Sequence, residues 1–129
     1  MRIERPDRKP CVFIGSRLKD LKRFPDKVRN RMGYAISRVQ DGDEPFGTKA
    51  LKGFGGRAVL ELVEDFDGDT YRAVYTVRYV GVVYVLHAFQ KKAKKGIATP
   101  QHEIDLIKTR LRDAETHYRE RYEYEGSKP

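Results

Sequence analysis

The sequence predicts an α+β domain in which an N-terminal helical pair and a C-terminal helix pack on a small antiparallel sheet. Three observations carry this expectation. Two β-rich runs, Tyr71–Val80 and Val82–Phe89, are separated by little more than Gly81. Apolar residues Ile104, Ile107, Leu111, Ala114 and Tyr118 recur at 3, 4, 3 and 4 spacing, the period of one helical face. Two further helical patterns meet at Phe24-Pro25.

Taken in order, Cys11–Ile14 (CVFI) reads as a short first strand ended by Gly15. Ser16 is a candidate N-cap for a helix carrying Leu18, Leu21 and Phe24. Pro25 ends that helix and opens the next, whose apolar positions are Val28, Met32, Ala35, Ile36 and Val39, with Gly42 as its stop. Residues 41–56 (DGDEPFGTKALKGFGG) form a polar, Gly-rich connection; no GK[ST] follows its glycines, which excludes a phosphate-binding P-loop. Ala58–Val63 is a strand, and Asp65–Asp69 (DFDGD) reads as its hairpin turn, because the late Glu of a calcium loop is missing.

The hairpin after it sets the site. A turn at Val80-Gly81 pairs Tyr79 with Val82, Val74 with His87 and Arg72 with Phe89. Arg72, Val74, Thr76 and Arg78 then share a face with Val85, His87, Phe89 and Lys91, while Tyr71, Ala73, Tyr75, Val77 and Tyr79 form the core face. The second strand is apolar on both parities, as a strand covered on both sides should be. It runs directly into Lys91, Lys92, Lys94 and Lys95. Thr99 then caps, and Pro100 begins, the C-terminal helix, whose Glu/Arg-rich remainder through Tyr124 outruns the core.

The 129 residues suit a single domain with loose ends at 1–9 and 126–129. A net charge of +8 favours an anionic partner, nucleic acid first and an acidic protein second. The one cysteine, Cys11, excludes an internal disulfide and reads as a small buried hydrophobe. Three scattered histidines give no metal constellation, so no metal and no cofactor are expected. Without a signal peptide or a run of 18 apolar residues, the expected location is the cytoplasm, with no membrane partner.

Several stretches resemble one family: Gly15-Ser16, Lys19-Asp20-Leu21, Phe24-Pro25, Lys49, Leu51-Lys52-Gly53, Glu61-Leu62, Tyr71-Arg72-Ala73-Val74-Tyr75, and Leu86-His87-Ala88-Phe89-Gln90-Lys91-Lys92 with Lys94. Together they resemble the HigB-like toxins of the RelE/ParE superfamily, a phage-associated branch of bacterial type II toxin–antitoxin systems. The resemblance implies a RelE-like fold and cleavage of mRNA on the ribosome, silenced by an antitoxin that often carries a helix-turn-helix. It implies that Arg72 contacts the scissile phosphate and that Lys49, Lys52 and the Lys91–Lys95 cluster supply the basic surroundings. ParE-type relatives share the fold and inhibit gyrase instead.

RNA is cut without metal when its own 2′-hydroxyl attacks the adjacent phosphorus, which requires proton transfer and positive charge on the phosphorane oxygens. Arg72 suits the second task, and its competing use is an ion pair with Glu61 on the neighbouring strand. Lys91 suits the first if neighbouring cations lower its pKa, and His87 has the ordinary pKa for it. Lys49, Lys52, Arg57, Lys92, Lys94 and Lys95 are the candidate RNA-binding residues. A plain RNA-binding module stays open beside the nuclease and the gyrase inhibitor; Phe89 and Phe54 are its candidate stacking residues.

Overall fold

The computed structural model describes residues 8–15, 17–91 and 99–123. Its elements run β1 (Cys11–Phe13), α1 (Arg17–Lys22), α2 (Asp26–Gln40), β2 (Lys49–Ala50), β3 (Leu60–Phe66), β4 (Asp69–Thr76), β5 (Val83–Lys91) and α3 (Gln101–Tyr118), with a π-helical turn over Arg119–Glu123. Ser16, Lys92, Lys94, Lys95 and Tyr124 lie outside the described residues.

The five strands form one sheet in the order β1-β5-β4-β3-β2. It is antiparallel from β5 to β2, but β1 joins β5 in parallel, Cys11 facing Val83 and Phe13 facing Val85. The all-antiparallel expectation is corrected at this edge. Parallel neighbours need a long connection, and everything between β1 and β5 serves as one. The connection 41–56 also holds a strand that the sequence hid. Lys49 and Ala50 pair with Glu61 and Leu60, and two residues are too few to show a period.

The β3–β4 hairpin closes on Asp67 and Gly68, both at positive φ (52° and 84°), which is the geometry whose twist matches antiparallel strands. The β4–β5 connection differs. Val82 N–H bonds Tyr79 C=O at 3.2 Å around Val80-Gly81, and only Gly81 takes positive φ (85°), because a β-branched valine resists it. Such a turn splays its flanking strands, so Tyr79 and Val82 share a turn bond and no ladder, and pairing starts at Thr76 and Tyr84.

The expected register holds beyond that, with Arg72 opposite Phe89 and Val74 opposite His87. A bulge intervenes: Tyr75 faces Val85, so Leu86 is the extra residue. The extra residue reverses side-chain parity below it. Val85 therefore packs with Tyr71, Ala73 and Tyr75, away from the Arg72 face on which the alternation had placed it.

Both faces of the sheet are covered. Val28, Met32, Ile36 and Val39 of α2, with Leu21 and Phe24, pack on Leu62, Tyr71, Tyr75 and Val85. Ile107 and Ala114 of α3, with Ile104, Leu111 and Tyr118 at their margin, pack on Val74, Tyr84 and Leu86. The Tyr71 face is thus one core of two, and the residues after α3 do not outrun the structure, since Tyr122 stacks on Tyr118 at 5.4 Å against the second core. Half-buried Cys11 borders the first core, and burial pushes its thiol up to about 11, too high for thiolate chemistry at neutral pH. Among the described residues, no helix is long and apolar enough to cross a membrane.

If α3 is held mainly by its apolar stripe, Ile107→Ala should cost about 2–5 kcal/mol of stability in denaturant unfolding. Leu18→Ala, at a position 42% exposed, should stay within about 0.5 kcal/mol.

Candidate active site

The site grows from two strand residues whose side chains point to the α3 face. Val63 faces Arg72 and Glu61 faces Val74, so Glu61 and Arg72 are diagonal neighbours on adjacent strands. Arg72 Nη1 donates to Glu61 Oε1 at 2.6 Å, and the two side chains are only 7% and 4% exposed. Thr99 does not cap α3; Pro100 takes the N-cap position, and Thr99 Oγ1 donates to Glu61 Oε2 at 3.0 Å. One buried carboxylate therefore joins β3, β4 and the entrance to α3.

Above this pair lies an open groove of about 590 Å³. Lys49, Lys52 and Gly53 form one wall, Gln101, Ile104 and Lys108 of α3 the other, and Glu61 and Arg72 line its floor. Three of the expected residues, Arg72, Lys49 and Lys52, are thus brought together. Lys108 joins them without a sequence signal of its own, since the apolar period of α3 marks only its packed stripe; it follows Ile104 by four positions and Gln101 by seven, on the face that lines the groove.

Lys91 sits at the end of β5 opposite Thr70, two ladder pairs from Phe89 and Arg72 and on the same face of the sheet. Burial lowers its pKa below the usual lysine value, the Arg72 charge lowers it further, and Glu61 opposes both. The direction is the expected one, but the described cation responsible is Arg72, with burial ahead of it.

His87 is held differently. Its Nε2 lies 2.5 Å from Glu103 Oε2, its Nδ1 2.9 Å from Arg110 Nη1, and its ring stacks on Phe89 with centroids 4.9 Å apart. Arginine can only donate, so Nδ1 accepts, and Nε2 carries the proton given to Glu103. Both nitrogens thus serve to fasten α3 to β5. Arg57 is drawn away from the groove into an ion pair with Glu44. Phe89 stacks on His87, and Phe54 packs on the second core.

Residues 19–112 match the family model "Phage derived protein Gp49-like (DUF891)". The chain belongs to this Gp49-like family. A solved structure of the E. coli toxin RelE, an arginine-to-alanine double mutant in the free state, is similar to this Gp49-like chain, with a TM-score of 0.50 and 20% identity over 69% of this chain and 87% of that one. The fold of the Gp49-like chain is therefore RelE-like. Comparison with curated protein sequences gives no match.

Two outcomes test the site. Glu61→Ala strands the Arg72 charge and should cost on the order of 3 kcal/mol in chemical denaturation, whereas the double replacement Glu61→Leu with Arg72→Met should recover most of it. In heteronuclear NMR, Lys91 should titrate below 10.5, and Arg72→Met should move it part of the way back, since burial persists.

Proposed function

We propose that the protein is a HigB-like toxin of a type II toxin–antitoxin pair, an endoribonuclease that cuts mRNA on the ribosome without metal or cofactor and is silenced in the cytoplasm by a helix-turn-helix antitoxin. The single observation that carries the reading is the groove. It sets one fixed guanidinium, Arg72, below two lysine-bearing walls formed by Lys49 and Lys52 on one side and Lys108 on the other. Such a trough suits a single polyanionic strand. The RelE-like fold and the Gp49-like family support the same reading.

In this proposal the scissile phosphate lies over Arg72. Its guanidinium, held in place by Glu61, brings a fixed positive charge to the phosphorane oxygens as negative charge develops there. The 2′-oxygen bonds to phosphorus, the 5′-oxygen leaves, and a 2′,3′-cyclic phosphate forms. The 2′-hydroxyl proton passes to neutral Lys91, a form that burial and Arg72 make more accessible. The departing 5′-oxygen takes its proton from water or from an ammonium group of the walls. His87, with both nitrogens committed to α3, positions the helix rather than moving protons. Lys92, Lys94 and Lys95 add RNA attraction in this proposal, while Arg57 is left to its partner Glu44.

Arg72→Ala leaves Glu61 buried without its cation, so the informative variant is Arg72→Lys, which keeps the charge and loses the planar fork. On induction in a bacterial host, the wild type should arrest growth and create new mRNA 5′ ends within reading frames. Arg72→Lys, folded to the same melting temperature, should lower cleavage about 100-fold or more. Lys108→Ala should weaken RNA binding and flatten its salt dependence. Arrest with intact mRNA and damaged DNA would replace the nuclease with a gyrase inhibitor, and binding without cleavage would leave a passive RNA-binding module.

A further inference from the structure

Of the chain's six phenylalanines, five are buried or packed against a core; Phe46 is fully exposed. It stands at the tip of a tight turn. Thr48 closes that turn onto Pro45 C=O twice, through its N–H at 3.2 Å and its Oγ1 at 2.5 Å, and Pro45 is buried beneath it. Beside it lies a cleft of about 250 Å³ whose rim includes Tyr34, 68% exposed, with Arg31 and Arg38. Phe46 and Tyr34 border one cleft and are both exposed, so together they form an exposed aromatic patch rather than a lone surface ring, and a patch of that kind marks an interaction surface.

The charges around the turn indicate the ligand. Each neighbouring acid is already matched with an arginine: Glu44 with Arg57, Asp43 with Arg38 at 3.6 Å, and Glu64 with Arg31 at 3.6 Å. The local surplus is therefore the positive charge of Lys49 and Lys52, which follow Phe46 by three and six residues and line the groove. Three residues of chain reach at most about 10 Å, the scale of neighbouring nucleotides on one strand. Exposed rings next to a cationic track are the combination that holds single-stranded nucleic acid, because every base has a face to stack. A purely apolar peptide would use the ring and gain nothing from the lysines.

We propose that Phe46 is a base-stacking residue, receiving an unpaired nucleobase of the RNA strand as that strand leaves the groove past Lys49 and turns over the β2 edge of the sheet toward the α2 face, where the Tyr34 cleft lies. This rests on the groove being an RNA site. Because Phe46 touches solvent rather than core, its replacement leaves the fold intact.

The test is fluorescence anisotropy with an uncleavable 2′-O-methyl oligoribonucleotide of about 12 nucleotides, intact or with single abasic sites. Phe46→Ala should weaken binding of the intact strand about 5- to 100-fold, Phe46→Trp should preserve it, and the salt dependence should not change, since no ion contact is lost. One abasic position should penalise the wild type and not Phe46→Ala. If Phe46→Ala binds like the wild type while the Lys49→Ala and Lys52→Ala variants weaken, the inference fails and the RNA groove stands. If the wild type does not bind RNA, both fall. If Phe46→Ala spares RNA but loosens a co-expressed antitoxin, the ring docks protein, and the inference is likewise overturned.

Discussion

The buried pair between Arg72 and Glu61 is the constraint on which the site depends. A guanidinium 7% exposed on a sheet face needs a counter-charge, and the carboxylate that supplies it also accepts from Thr99 at the start of α3. The pair therefore fixes the arginine in one orientation and ties three elements around the groove floor. Burial lowers the pKa of Lys91 and the Arg72 charge lowers it further, while Glu61, already in contact with Arg72, raises it too little to cancel them.

The two-sided sheet explains how so small a chain keeps this charge dry. Helix α2 covers one face and α3 the other, which leaves Arg72 between a packed core and a groove. The bulge at Leu86 is part of that arrangement. By adding one residue to β5 it turns both Tyr84 and Leu86 to α3, so the strand supplies large side chains to the second core without losing Val83 and Val85 from the first.

What was legible in the sequence was whatever is set by local period. The register that places Arg72 beside Phe89 and Val74 beside His87 followed from alternation, and the α3 stripe followed from 3–4 spacing. The bulge was hidden because Val83, Tyr84, Val85 and Leu86 are apolar on both parities, so no polar residue marks the slip. The parallel edge of β1 was hidden because a three-residue strand carries no signal of direction. Competition between charges was hidden too. Arg57 lies as close in sequence to Lys52 as many true neighbours, yet Glu44 holds it elsewhere, and Thr99 reaches a carboxylate on β3 rather than its own helix. Lys108 was readable on a helical wheel, but only once the opposite face of α3 was known to meet a cavity.

The wall of the groove formed by α3 can be no more exact than the helix's attachment, and that attachment is polar near both ends. Toward the N-terminus, His87 links Glu103 and Arg110, and Arg110 Nη1 also reaches Leu86 C=O at 3.3 Å. Toward the C-terminus, Tyr84 OH meets His117 Nδ1 at 2.8 Å and Tyr118 OH donates to Val80 C=O at 2.9 Å. Apolar packing between them supplies most of the adhesion but resists sliding only weakly, since one methyl fits nearly as well as another. Directional bonds near the two ends remove that freedom. They set the distance from Lys108 to Lys49 and Lys52, and so set the width of the groove.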